Sequence, residues 1–136
     1  MNKEELIYKI GILEQQSEQL QRQLQMIEQS FNELSKLKID LEDLKNSKGK
    51  EIMAPIGRGI FIKSKIIEEN LLVDIGSKNL VVKSIAETQE LIQEQIKKLH
   101  EVQEFMNSSL HELGHEMEKA VEEIQKEIEG KREKSE

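Results

Sequence analysis

Apolar residues at the start of the chain recur in steps of four and three: Leu6, Ile10, Leu13, Ser17, Leu20, Leu24, Ile27, Phe31 and Leu34, with Ser17 the only polar member. This is a heptad seam, with d positions at 6, 13, 20, 27 and 34 and a positions between them. The next apolar residue, Leu37, follows after three residues rather than four, and the seam runs on through Leu41 to Leu44. That slip predicts a local stammer that overwinds the coil. A second seam runs from Ile85 through Gln89, Ile92, Ile96, Leu99, Gln103, Met106, Leu110, Leu113, Met117 and Ala120 to Ile124. The two seams span 38 residues (6 to 44) and 39 residues (85 to 124). Matched lengths around a central insert predict that the chain folds back on itself, residue i facing about residue 130 − i. Leu44 then lies near Ile85, Leu24 near Met106 and Leu6 near Ile124. Each helix measures about 60–70 Å at 1.5 Å per residue. A plain parallel homodimer would need the insert to interrupt two successive coils and is the less economical arrangement.

Between 51 and 83 the period changes. Ten residues are Ile or Val, and alternation replaces the 3–4 spacing. Strands are predicted over 51–56, 60–66, 71–75 and 80–83, with turns at Gly57-Arg58-Gly59, 67–70 and Gly76-Ser77-Lys78-Asn79. On the second strand Ile60, Ile62, Ser64 and Ile66 share one face, with Phe61, Lys63 and Lys65 on the other. Four short strands give two hairpins or a meander, which are marginal alone and have edges open to another chain. The apolar strand residues Ile52, Ile56, Ile60, Phe61, Ile62, Ile66, Leu71, Val73, Ile75 and Val81 are therefore the expected assembly surface. The fold class expected is mainly α with small β: two long helices in an antiparallel coiled coil, joined by two β-hairpins that mediate oligomerisation. The divisions are 1–48, first helix; 49–83, hairpins; 84–130, second helix; and 131–136, a charged tail after a helix stop at Gly130.

Composition agrees with an assembled or elongated particle. Of 136 residues 36% are apolar and 35% charged, against roughly 45–50% and 25% in ordinary domains, and only four are aromatic. The net charge is −7, but residues 49–83 carry four acids and six bases while residues 84–136 carry fourteen acids and seven bases. A general nucleic-acid binder, which works by neutralising phosphates, is thereby disfavoured. No apolar run reaches a membrane-spanning length. The absence of Cys and of a signal-like start at Met1-Asn2-Lys3-Glu4-Glu5 leads us to expect a cytoplasmic protein.

One stretch invites a catalytic reading. His111-Glu112-Leu113-Gly114-His115 matches the H-E-x-x-H pattern of zinc peptidases and lies on a predicted helix, as that motif requires. With Leu113 at d and Met117 at a, however, His111 falls at b and His115 at f, away from the partner helix. The expected role is a solvated helix face, with no metal, no cofactor and no catalytic residue. A phosphate-binding loop is absent, and Gly57-Arg58-Gly59 is short enough to be a hairpin turn.

What remains is apolar surface off the seam. Ile7 (e), Tyr8 (f) and Ile12 (c) in the first helix, with Val121 and Ile128 (both e) in the second, cluster with seam residue Ile124 at one expected tip. These six are the candidate binding residues. Met26 and Phe105 show that off-seam apolar residues also occur mid-coil.

The order helix, Glu51-Ile52-Met53-Ala54-Pro55-Ile56-Gly57-Arg58-Gly59-Ile60-Phe61-Ile62-Lys63, Val73-Asp74-Ile75-Gly76, Val81-Val82-Lys83-Ser84-Ile85, helix resembles a prefoldin subunit, and four strands rather than two make it similar to the alpha class. Lys78 and Leu80 stand where that family usually has a small and an aromatic residue. The resemblance implies an ATP-independent holdase in which two alpha-type subunits pair through their hairpins and four beta-type subunits join them. It further implies partners of three kinds: a second copy of the chain, unfolded client proteins and a group II chaperonin of the cytosol. The contrasting reading is a self-assembling coiled-coil scaffold or filament without client transfer.

Overall fold

The computed structural model describes residues 1–135. Its elements are α1 (Lys3–Glu42), β1 (Glu51–Gly57), β2 (Ile60–Lys65), β3 (Leu71–Asp74), β4 (Leu80–Lys83) and α2 (Ile85–Ser135). They form two compact units: a hairpin unit, Phe31–Lys98, and a terminal unit made of Met1–Ser30 and the stretch from Leu99 onward.

Local signals set the helix starts. Asn2 caps α1 by accepting the Glu5 amide on Oδ1 at 2.9 Å, with Glu4 and Glu5 in the first turn where the helix dipole favours acids. Ser84 caps α2: its Oγ accepts the Glu87 amide at 3.1 Å, and its carbonyl takes both the amide and the hydroxyl of Thr88. α1 ends at Glu42, where tighter three-residue bonds carry the chain through Asp43, Leu44 and Lys45 to Asn46 at φ 61°. Buried Ser47 closes this exit by donating its hydroxyl to the Leu44 carbonyl.

In the hairpin unit, Leu41, Ile85, Ile92 and Ile96 form the core, with Phe31, Leu34, Leu44 and Leu71 packed around it. Leu44 thus packs against the cluster that contains Ile85, as the fold-back predicts. Lys38 Nζ donates to Gln93 Oε1 at 2.7 Å and the Gln89 amide donates to Glu42 Oε2 at 2.8 Å, so residue i faces 131 − i, one residue from expectation. Gln89, with the Lys45 ammonium beside it, holds the Glu42 carboxyl below its usual value by hydrogen-bonding its charged form. In the terminal unit the buried side chains are the seam residues Leu6, Leu13, Ile27 and Ala120.

Two expectations about the helices are corrected. No stammer follows Leu34: the heptad continues to Lys38 at a and Leu41 at d, while Leu37 stays 46% exposed. Lys38 fits because its aliphatic stem lies along the seam and its ammonium reaches out to Gln93. The helix also does not stop at Gly130 but runs to Ser135. A single glycine costs a helix only about 1 kcal/mol, and Lys131 and Glu127 approach to 3.8 Å across that turn.

The four strands make two separate antiparallel hairpins rather than one meander. In the first, Ile52 pairs with Ser64, Ala54 with Ile62 and Pro55 with Phe61, with a bulge between Pro55 and Gly57. Its loop, Arg58-Gly59, has φ of 50° and 79°, the mirror-image turn that matches strand twist and for which glycine is suited. In the second, Leu72 pairs with Val82 and Val73 with Val81. Its turn places Ser77 and Lys78 at φ 51° and 63°, closed by the Asn79 amide on the Gly76 carbonyl at 3.0 Å.

Candidate functional site

Each hairpin carries more apolar surface than the chain covers. On the first, alternation puts Ile52, Ala54 and Ile62 on one face and Met53, Pro55 and Phe61 on the other. Ile52, Met53, Ile56, Ile60, Phe61 and Ile62 are all exposed. Charge supports only one corner of this hairpin, where Lys63 lies 3.2 Å from Glu51. Ile66 is half-buried; its amide and carbonyl bond Lys50 and Gly49.

The second hairpin rearranges the expected set. Leu71 and Val73 turn inward, Leu71 against the hairpin-unit core, while Val81 lies at the border of exposure. Ile75 is open, and so are Leu72, Leu80 and Val82, which sequence reasoning did not single out. Leu71-Leu72-Val73 is apolar at every position, so alternation offered no signal for which face would be covered.

In the terminal unit the six candidate residues do not share one surface. Tyr8 and Ile12 line a groove with Met1, with Lys9 and Gln16 of α1 and with Glu116 of α2. A neighbouring groove on that flank is lined by Gln16, Gln19 and Gln23 opposite Ser109, Glu112 and Glu116, the g and c positions of both helices. Ile7, Val121 and Ile128 occupy e positions, which in an antiparallel pair line the other flank. Ile124 is half-buried in the seam between them. Tyr8 is 73% exposed, Ile7 53% and Val121 44%, so each flank offers open apolar surface.

The comparison with protein families decides what this arrangement belongs to. The family model described as prefoldin subunit matches residues 13–130, which contains both hairpins and most of both helices. The chain belongs to the prefoldin family. Among its relatives, prefoldin subunit alpha 1 of Thermococcus kodakarensis is 37% identical over 97 residues, covering 70% of this chain and 66% of that protein. Prefoldin subunit alpha of Methanosphaera stadtmanae is 30% identical over 90 residues, 66% of this chain and 65% of that protein. The matched part is therefore just under two thirds of the length of these two relatives. Prefoldin subunit alpha of Thermofilum pendens is 30% identical over 105 residues, 76% of this chain and 81% of that protein. In fold, the chain is similar to filamentous PFD from Methanocaldococcus jannaschii, solved by cryo-EM, with a TM-score of 0.74 at 20% identity over 88% of this chain and 98% of that one.

Within this prefoldin fold the H-E-x-x-H stretch is split between flanks. His111 and His115 line one recess with Asn107, Leu110, Gly114 and Glu118, whereas Glu112 lines the groove of the opposite flank. The carboxylate that a peptidase would use to activate water thus faces away from the imidazoles. Among the described residues, no group of three or more His, Cys, Asp or Glu side chains is placed to hold a metal ion. Nor is any helix of the described residues long and apolar enough to cross a membrane.

Proposed function

We propose that this prefoldin-family chain is an alpha-type subunit of an ATP-independent holdase of the cytoplasm. It captures non-native polypeptides on the apolar flanks of the terminal unit and passes them to a group II chaperonin. The observation that carries this reading is the exposure of Ile7, Tyr8, Ile12, Val121 and Ile128 among charged neighbours. Isolated apolar residues are common on surfaces, but several on one short stretch of coil favour contact with other apolar groups. Each contact is weak and shallow, so useful affinity would come from several subunits engaging one client together.

Assembly is assigned to the hairpins. Ile52, Ile56, Ile60, Phe61, Ile62 and Ile75, joined by Met53, Leu72, Leu80 and Val82, offer apolar faces and unpaired strand edges. Partners of matching strand chemistry are a second copy of this chain and beta-type prefoldin subunits, in the proportion of two alpha to four beta. No catalytic step is needed.

The test is heat-induced aggregation of a model protein, followed by light scattering, with the chain alone and mixed with an archaeal beta-type subunit. The variant replaces Ile7, Tyr8, Val121 and Ile128 together by Ser. Assembly mass is measured in parallel. The expected result is suppression by the parent chain and its loss in the variant, with assembly mass unchanged. Equal suppression by both would move client contact to the hairpins. Large assemblies without suppression would make the chain a scaffold.

A further inference from the structure

Among the described residues, a cluster of reactive side chains that the holdase reading leaves unused is the histidine pair of α2. His111 and His115 are one turn apart on the same face, their Nε2 atoms 3.1 Å apart and their rings edge-on at 4.6 Å between centroids. Both open onto a recess that Leu110 and Gly114 also line, and Gly114 contributes no side chain there.

We propose that His111 and His115 form a two-imidazole chelate for a late divalent transition-metal ion, copper(II) above all, contrary to the expectation from heptad position that these are idle surface residues. With metal–nitrogen bonds of about 2.0–2.1 Å, nitrogens 3.1 Å apart subtend roughly 95–100° at the metal, which suits adjacent positions of a tetragonal or tetrahedral shell. Imidazole nitrogen favours copper, nickel and zinc over calcium or magnesium, and the ordinary affinity order puts copper(II) first. Without metal, one Nε2–H donates to the other Nε2. On binding, that ring moves its proton to Nδ1 and the two rings turn so that both Nε2 lone pairs face the ion. Glu118 stands ready for this in His115: its Oε2 is 4.0 Å from Nδ1, and a small rotation lets the carboxylate accept the relocated proton. The remaining coordination positions are filled by water, so the site binds and does not act as a peptidase, its nearest glutamate in sequence being on the other flank.

The test is titration of the full chain with copper(II), read by electron paramagnetic resonance and by equilibrium dialysis, with zinc as competitor. The variants are His111→Ala, His115→Ala and, as control, His100→Ala. All three keep a helix former, and circular dichroism checks that helix content is retained. The expected result is one tight copper per chain with a two-nitrogen spectrum, weakened about 100-fold in either His111→Ala or His115→Ala, since the second imidazole acts at high effective concentration. His100→Ala should leave it unchanged. Copper binding that is unaffected by both pair variants, or lost equally in His100→Ala, would overturn the proposal.

Discussion

Leu6 and Ile7 are neighbours of nearly equal size, yet the fold gives them different duties, and replacing each by Ala separates those duties. Leu6 is 2% exposed, the most deeply buried large side chain described, whereas Ile7 is 53% exposed. Leu6→Ala removes three buried carbons at about 0.8 kcal/mol each, some 2.4 kcal/mol before any cavity is counted. The site lies in the second turn from the start of α1 and can partly collapse, so the whole loss should be about 2–3 kcal/mol, at the low end for buried leucines. Ile7→Ala removes the same number of carbons, but only about half of that surface is out of water. The resulting loss of roughly 1 kcal/mol is partly offset by alanine's better helix propensity. Stability of the terminal unit is measured by hydrogen exchange of the amides around residues 6–20 and by urea unfolding. Leu6→Ala should speed exchange there by more than an order of magnitude, because each 1.4 kcal/mol is tenfold, while Ile7→Ala should change it only a few-fold. In the aggregation assay Ile7→Ala should weaken suppression at temperatures where the unit is still folded. Equal destabilisation by the two substitutions would refute the seam assignment; an unchanged assay with Ile7→Ala would remove that side chain from the client surface.

Two further outcomes follow from local geometry. Lys78→Gly should stabilise the second hairpin by about 1 kcal/mol, since a left-handed conformation costs a side-chain-bearing residue roughly 1–2 kcal/mol and glycine little; slower exchange of the Val73 and Val81 amides, about fivefold, would show it. The Glu42 carboxyl is held below the ordinary glutamate value of 4.5, chiefly by the Gln89 amide. A lowered carboxyl value means the contribution to stability is fully present above the ordinary, unfolded-state value and is lost as pH falls from there through the lower folded-state value. Gln89→Leu should return the Glu42 carboxyl titration, followed by NMR, toward 4.5 and flatten the acid dependence of unfolding.

The helices, their antiparallel pairing and the four strands follow from signals repeated along the chain. A 4–3 alternation held over more than thirty residues leaves one helical face to bury, whereas the caps at Asn2 and Ser84 emerged only with the structure. Turn glycines and alternating Ile and Val mark out the hairpins, placing strand ends within a residue or so of those observed. The misjudged points are those where two neighbouring residues compete for one position. Leu37 looks like the better seam residue than Lys38, yet continuing the register costs less than distorting the coil, and a lysine stem is long enough to lie in the seam with its charge outside. Leu71, Leu72 and Val73 are equally apolar, so which of them is covered depended on where the hairpin meets Leu41 and Ile85 in space. Likewise, heptad letters and the i, i+4 spacing placed His111 and His115 side by side off the seam and Glu112 apart from them, but the 3.1 Å between their nitrogens is set by the side-chain conformations of the folded chain. Periodicity is a property of the backbone and can be read along the chain; the choice among similar side chains is made by the neighbours that fold against them.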